Sequence, residues 1–163
     1  MELKDVILLL EQNNQFKQWQ KAHTAYFLAH AFVMLDEFNV DIWQIGFFDA
    51  QKNLMTTFFV EKSEVKIIPD QEVLKSDIEI VPLKINEVKI SSLEAMKIAC
   101  DVFKKEFANV NVIKTFFIIQ QIKDAAVYNV TFFTRAFKSL NVKIAAVDGK
   151  ILHHSESSLA NFS

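Results

Sequence analysis

Apolar residues recur at helical spacing in the first forty positions of the chain. Residues 3, 6, 7 and 10 are all apolar and lie on one face of a helix, which predicts a short amphipathic helix over residues 2–12. A second helix is predicted from about Phe16 or Trp19 to Phe38, because His30 is the only strongly polar residue between Ala25 and Leu35. A helix that is apolar on all sides is expected to be buried on more than one side.

A third helix is predicted after residue 90. Ser91-x-x-Glu94 is a capping box, in which the serine side chain accepts a hydrogen bond from a free backbone N–H and the glutamate reaches back. An apolar stripe at helical spacing follows it, formed by Leu93, Met96, Cys100, Phe103 and Phe107.

The remaining segments have the composition of strands. Residues 42–48 and 54–60 predict a hairpin, and a third strand begins at residue 65 and either ends at Pro69 or lies at an edge. In the second half, strands are predicted over 115–122, 127–137, 142–147 and 150–154. Asp148-Gly149 between the last two predicts a type I′ turn, which needs positive φ at both positions. Strands that follow one another without helices between them favour an antiparallel sheet, so the predicted class is α+β with a helix covering one face of each sheet.

One unit is predicted to occur twice. Val65–Leu74 aligns with Val142–Leu152 with one residue of slack, and a helix, an aromatic strand, a polar turn and a phenylalanine-rich strand precede each copy. A repeat dominates the expected architecture. The predicted organisation is an N-terminal helix plus a first unit over residues 1–76, an extended connection over 77–90 and a second unit over 91–163.

The second unit resembles the PepSY (peptidase propeptide and YpeB) domain family. The resemblance lies in the helix opening at Ser91–Glu94, the strand Val127–Thr131 and the hairpin Val142–Ile151, and it covers residues 91–155. The first unit matches only in the order of its elements, because Asp70-Gln71-Glu72 replaces the Asp-Gly turn. The resemblance implies two cystatin-like units and a non-catalytic module that binds or restrains another protein, in some members a peptidase. It transfers no catalytic residues, and the family is mostly found outside the cytoplasm or at membranes.

Composition excludes several classes of function. The formal net charge is −2 with both signs interspersed, which offers no field to attract nucleic acid or an anionic membrane. The single cysteine cannot form an internal disulfide, and no apolar stretch approaches the ~20 residues needed to span a bilayer. The chain as written is therefore expected to be cytoplasmic, or extracytoplasmic if a leader has been removed.

The residues that could carry chemistry are scattered. His23 and His30 share a face of the predicted helix, but no Cys, Asp or Glu lies beside them at ligand spacing. His153 and His154 would point to opposite sides of a strand. Cys100 lies in an apolar stripe, which is typical of a small buried side chain. No catalytic, metal-binding or cofactor-binding residues are predicted, and no cofactor.

Aromatic residues on the predicted strands suggest where the protein acts. Adjacent pairs such as Phe47-Phe48 place one ring on each face of a sheet, so both faces are expected to be apolar. The face away from the helix could be covered by the second unit, by a protein partner, by a second copy or by a ligand. His30, Trp43 and Tyr128 are the candidate pocket or interface residues.

Two functions follow from these patterns. The first is a non-catalytic binding or regulatory module that docks a sheet face or an edge strand onto a protein partner or a second copy. The alternative is a small-molecule carrier or enzyme with an apolar pocket between helix and sheet, in which His30 or Tyr128 orients the ligand.

Overall fold

A computed structural model describes residues 1–35, 42–62, 64–74 and 79–158. Its helices are α1 (Leu3–Gln12), α2 (Asn14–Ala22) and α3 (Ser92–Glu106), with a 3₁₀ turn at Ile85–Glu87. The strands are β1 (Phe27–Leu35), β2 (Ile42–Asp49), β3 (Leu54–Glu61), β4 (Glu64–Glu72), β5 (Val112–Ile122), β6 (Ala125–Thr134), β7 (Lys138–Ala145) and β8 (Ile151–Ser158).

All eight strands form one antiparallel sheet in the order β4-β3-β2-β1-β5-β6-β7-β8. Two four-stranded meanders meet where β1 pairs with β5, for example at Val33 opposite Phe117. The α+β class is confirmed, but the prediction of two separate cystatin-like units, each a helix on its own sheet, is wrong. β1 pairs with β2 along one edge and with β5 along the other, so the sheet is continuous across the two halves of the chain.

The long second helix of the prediction is also wrong. α2 ends at Ala22 and the apolar run Phe27–Leu35 is a strand; positions 36–38 of the predicted helix lie outside the described residues. β1 lies in the middle of the sheet, and every residue in it is buried or half-buried. A strand apolar on both faces loses its alternation, so its periodicity cannot be distinguished from that of a buried helix.

The two segments aligned as a repeat do not occupy equivalent strands. Residues 65–74 run along β4, which is an edge strand, whereas residues 142–152 begin in the internal strand β7 and end in β8. The structure therefore gives this alignment no support. The hairpin at Asp148-Gly149 is present, with the Gly149 N–H donating to the Ala145 carbonyl at 2.9 Å. Gly149 has φ +78° while Asp148 is not among the described residues with positive φ, so the turn is not type I′.

The helices pack on one face of the sheet. The ring of Phe16 in α2 lies 5.1 Å from that of Phe58 in β3, and Phe103 in α3 lies 4.9 Å from Phe132 in β6. The serine half of the predicted capping box of α3 is present, because Ser91 Oγ accepts a hydrogen bond from the Glu94 N–H at 3.1 Å.

Glu2 joins the first helix to the third. Its carboxylate accepts hydrogen bonds from the Ser92 N–H at 2.8 Å and the Ser92 hydroxyl at 2.9 Å. A carboxylate at a helix N-terminus is stabilised by the free N–H groups and the helix dipole. Within the described part of the chain, no helix is long and apolar enough to cross a membrane.

Candidate functional site: the open face of the sheet

The two faces of the sheet have different surroundings. Alternate residues of β5 illustrate this, since Phe117 and Ile119 point toward the helices and are buried, whereas Phe116 and Ile118 between them are half-buried. We call the side toward the helices the covered face and the other side the open face. No helix of the described chain packs on the open face, and the connecting residues 79–81 lie beside His30 on it.

The open face carries an apolar cluster at the junction of the two meanders. The rings of Phe32 in β1 and Phe116 in β5 lie 5.5 Å apart, and those of Phe116 and Phe133 in β6 lie 5.8 Å apart. Met34 and Ile118 complete it, because they lie opposite Phe116 and Phe32 across the β1–β5 pairing. All five side chains are half-buried. We call these residues the open-face cluster (Phe32, Met34, Phe116, Ile118 and Phe133).

Polar side chains flank the open-face cluster. On the β7 side, the Asn141 amide donates to Asn129 Oδ1 and, at 2.9 Å, to Thr131 Oγ1. On the β2 side, Gln44 lies opposite Phe32. An apolar centre with a polar rim is the usual composition of a protein interface. The arrangement can bind an apolar surface, but the cluster itself contains no acid, base or nucleophile.

His30 lies on the open face near the end of β1, not on a helix. Its ring packs so closely over Gly46 that a Cβ added there would lie 2.3 Å from His30 Cε1. Burial lowers the pKa of the imidazole below its usual value, because a buried site disfavours the charged form. A cavity of about 220 Å³ beside it is lined in part by Met55, Ile80 and Gln120.

Trp43 and Tyr128 lie on the covered face, so the structure does not bring the three candidate residues together. Trp43 is 2% exposed and Tyr128 is 0% exposed. Phe117 lies between them, with its ring 5.7 Å from Trp43 and 5.8 Å from Tyr128. The Tyr128 hydroxyl donates to the Ile90 carbonyl at 3.2 Å, and burial raises the pKa of its phenol. Tyr128 is therefore a core residue that ties the connection before α3 to the sheet.

Trp43 borders a cleft between the helices and the sheet. The cleft has a volume of about 330 Å³ and apolar walls that include Val33, Met96 and Phe117, with Glu2 also lining it. The sequence predicted an apolar pocket between helix and sheet as an alternative site, with His30 or Tyr128 orienting the ligand. Neither of those two residues lines this cleft, and of the three candidate residues Trp43 alone does.

The other residues considered for chemistry lie far apart. His23 ends α2, with Nδ1 2.7 Å from the Trp19 carbonyl oxygen and its ring stacked on Trp19. His153 and His154 lie exposed on opposite faces of β8. Burial is the main cause that raises the pKa of the Cys100 thiol, which disfavours a thiolate nucleophile. Among the described residues, no three His, Cys, Asp or Glu side chains are grouped so that they could hold a metal ion.

Sequence reasoning missed a polar contact beside α2. Asp70 in β4 accepts a hydrogen bond from the Thr56 hydroxyl at 2.5 Å, and this bond is the main cause that lowers the pKa of the Asp70 carboxyl. The Tyr26 ring is half-buried, and its hydroxyl oxygen is fully buried without a hydrogen bond of ordinary geometry. Burial is the main cause that raises the pKa of Tyr26 to about 12, followed by the close approach of the Asp70 carboxylate to its hydroxyl and then by the charges of Asp70 and Asp49. Tyr26 and Asp70 are far apart in the sequence, so no local signal reveals the contact.

Comparisons with known proteins establish the fold alone. No family model matches the chain, and no curated protein matches it. The fold is similar to that in a crystal structure of a candidate lipoprotein from Clostridium difficile 630, with a TM-score of 0.55 and 14% sequence identity over 91% of this chain and 98% of that one. At this identity the likeness carries over the architecture and no activity.

Proposed function

We propose that the chain is a non-catalytic protein-binding module that docks a partner through the open face of its sheet. The observation that carries the proposal is the open-face cluster, in which three phenylalanine rings, Met34 and Ile118 are half-buried and no helix of the described residues covers them. Contiguous apolar patches at a protein surface mark interaction sites more often than scattered apolar residues do.

The continuity of the sheet supports this proposal over internal packing. The second half of the same chain could cover the open face only if the two halves of the sheet stacked face to face. They are joined edge to edge through β1 and β5 instead. The described chain therefore has no second layer on that side, and a partner remains to cover the cluster.

The chemistry of the cluster indicates what the partner presents. Aromatic and methionine side chains are enriched at the centres of protein interfaces, where they pack against apolar groups and exclude water. The partner is therefore a protein with an apolar docking surface, or a second copy of this chain. Restraint of a peptidase is one form of such binding, and it rests on the resemblance to PepSY domains alone.

The test uses a photo-crosslinking amino acid in place of Phe116, with the same amino acid in place of Phe137 as the control. Phe137 is 67% exposed and lies in the turn between β6 and β7, outside the open-face cluster. We expect a discrete protein adduct from position 116 and none from position 137.

The protein captured in the adduct must then be purified and shown to bind the native chain without crosslinking. We expect the double substitution Phe32→Ser with Phe116→Ser to weaken that binding about tenfold or more. Gln44→Ser, on the same face but outside the cluster, should leave it within about twofold. Equal labelling from both positions, or binding that is unchanged by the double substitution, would show that the open face is not the docking surface.

A second candidate function, carriage of a small apolar molecule, is favoured by the cleft beside Trp43. Its volume of about 330 Å³ lies at the lower end of the range for ligand sites. Apolar walls with a carboxylate and a hydroxyl beside them would hold a small ligand of mixed character. The cleft opens between the N-terminal residues Met1 and Glu2 and the first turns of α3, so a ligand there would leave the packing of the helices on the sheet in place.

The carrier function predicts excess mass on the freshly purified protein in a native mass spectrum. Trp43 can report on the same site by fluorescence in a Trp19→Phe background, since these are the two tryptophans of the chain. Adding back the extracted ligand should change the Trp43 emission, and Leu35→Phe, which narrows the cleft without adding a tryptophan, should weaken binding. A spectrum with the mass of the bare chain would argue against this function.

A further inference from the structure

β8 is an exposed edge of the sheet. It pairs with β7 on one side only, and residues 151–157 are all exposed. α3 packs on β6 and β7, and in the described chain no helix extends over β8. An edge strand offers a row of unpaired backbone N–H and C=O groups to another strand.

The opposite edge of the sheet is protected. β4 contains Pro69, which has no N–H to donate, and its pairing with β3 is irregular between Met55 and Thr57. Proline and bulges are the usual devices that prevent edge-to-edge association. The described residues of β8 contain no proline, and the irregularity in its pairing is confined to its beginning, between Lys143 and Ile144 of β7.

The sequence of β8 is complementary to itself in one register. When two copies pair antiparallel about a two-fold axis normal to the sheet, directly opposed residues must point to the same face. The axis therefore lies midway between one residue and the same residue of the second copy. When that residue is Ser155, His154 of each copy lies opposite Glu156 of the other, and Leu152 lies opposite Ser158.

The neighbouring registers oppose like side chains. A register centred on Glu156 places its carboxylate opposite that of Glu156 in the second copy. A register centred on His154 likewise opposes the two imidazoles. Opposite charges directly across a strand pair are stabilising, and like charges are destabilising. The charge pattern thus favours the register centred on Ser155.

The neighbours of Glu156 are compatible with this register. Glu156 and His154 lie opposite Leu140 and Val142 of β7, so both point to the covered face. Glu156 already pairs with Lys138 at 2.6 Å, and both side chains are partly exposed. Its carboxylate would then lie between Lys138 of its own chain and His154 of the second copy.

We propose that β8 is a self-association edge, which pairs antiparallel with β8 of a second copy about Ser155 and continues the sheet from one molecule into the next. The occupant is a second copy because the pattern of residues 154–156 is complementary to itself. This inference uses the edge and not the open face, so it stands or falls independently of the proposed function.

Sedimentation equilibrium of the full chain tests the proposal. We expect a reversible dimer. His154→Glu should weaken self-association about tenfold, because it opposes two carboxylates twice in each dimer. Lys105→Glu makes the same change of charge on the exposed side of α3 and should have no effect.

The double substitution His154→Glu with Glu156→His gives the sharper test. It restores opposite charges across the axis but gives up the ion pair of Glu156 with Lys138, so it should recover most of the affinity that His154→Glu loses. Circular dichroism would verify that each variant folds. A chain that stays monomeric at several hundred micromolar would overturn the proposal. So would a dimer that His154→Glu leaves intact, or one that only Phe32→Ser with Phe116→Ser disrupts, because it would have formed through the open face.

Discussion

Replacing Phe117 with alanine is expected to lower the free energy of unfolding by about 3–5 kcal/mol, and the same change at Phe116 by about 1–2 kcal/mol. The two residues are adjacent in β5 and have the same side chain. Phe117 is 3% exposed on the covered face, in ring contact with Trp43 and Tyr128. Its removal leaves a cavity in the core, whereas the half-buried Phe116 borders the solvent that would replace it.

Urea unfolding of the two variants beside the native chain measures both values. The two variants control for each other, because both replace a phenylalanine by alanine at adjacent positions of the same strand, so that strand propensity and residue type are equal. Equal losses at the two positions would mean that the open face is buried in the free protein, through self-association or a shifted register. Repeating the measurement at low protein concentration would distinguish these causes, since only the first depends on concentration.

The elements predicted correctly from the sequence are those with local signals. The helix at Ser92–Glu106 begins at a serine cap whose hydrogen bond joins Ser91 to Glu94, within four consecutive residues. The Asp148-Gly149 hairpin likewise depends on one residue with positive φ. Such features form wherever the local sequence allows them, so they can be read without knowing the rest of the fold.

β1 could not be predicted in this way, because whether its sequence forms a strand or a helix depends on distant strands. Phe27–Leu35 is apolar on both sides since it lies between β2 and β5 with the helices above it. Both partners are separate segments of the chain, and the β1–β5 pairing joins residues that are 80 to 90 positions apart, from Leu35 opposite Thr115 to His30 opposite Gln120. Because the prediction assigned this segment to a helix, it missed the pairing of β1 with β5 and divided the sheet into two separate ones.

The same error limited the prediction of the site. An apolar second face of the sheet was expected from the phenylalanine pairs on the strands, but Phe32 was assigned to a helix and so was missing from that set. Trp43 was named as a candidate without knowing its face. The faces are fixed by register, and a shift of one residue exchanges them, so the open-face cluster required the observed pairing of β1 with β5.

His30 and Gly46 provide the second large expected effect. Gly46→Ala is expected to lower the free energy of unfolding by about 1–3 kcal/mol, because the new Cβ would lie 2.3 Å from His30 Cε1 and 2.8 Å from both ring nitrogens. The whole imidazole would have to move, and the ring is largely enclosed between β2 and β5. The need for glycine arises from this close approach, since φ at Gly46 is not in the left-handed region.

The cause can be isolated by a double-mutant cycle with His30→Ala. In the His30→Ala background the new methyl group meets no ring, and alanine is better suited than glycine to a strand interior. Gly46→Ala should then be neutral or slightly stabilising, with a coupling energy of about 1–3 kcal/mol between the two sites. If Gly46→Ala were equally costly with and without the imidazole, the strain would lie in the backbone of β2. If it were harmless in both, the ring of His30 would not be held against β2 at all, and the site would be free for a ligand.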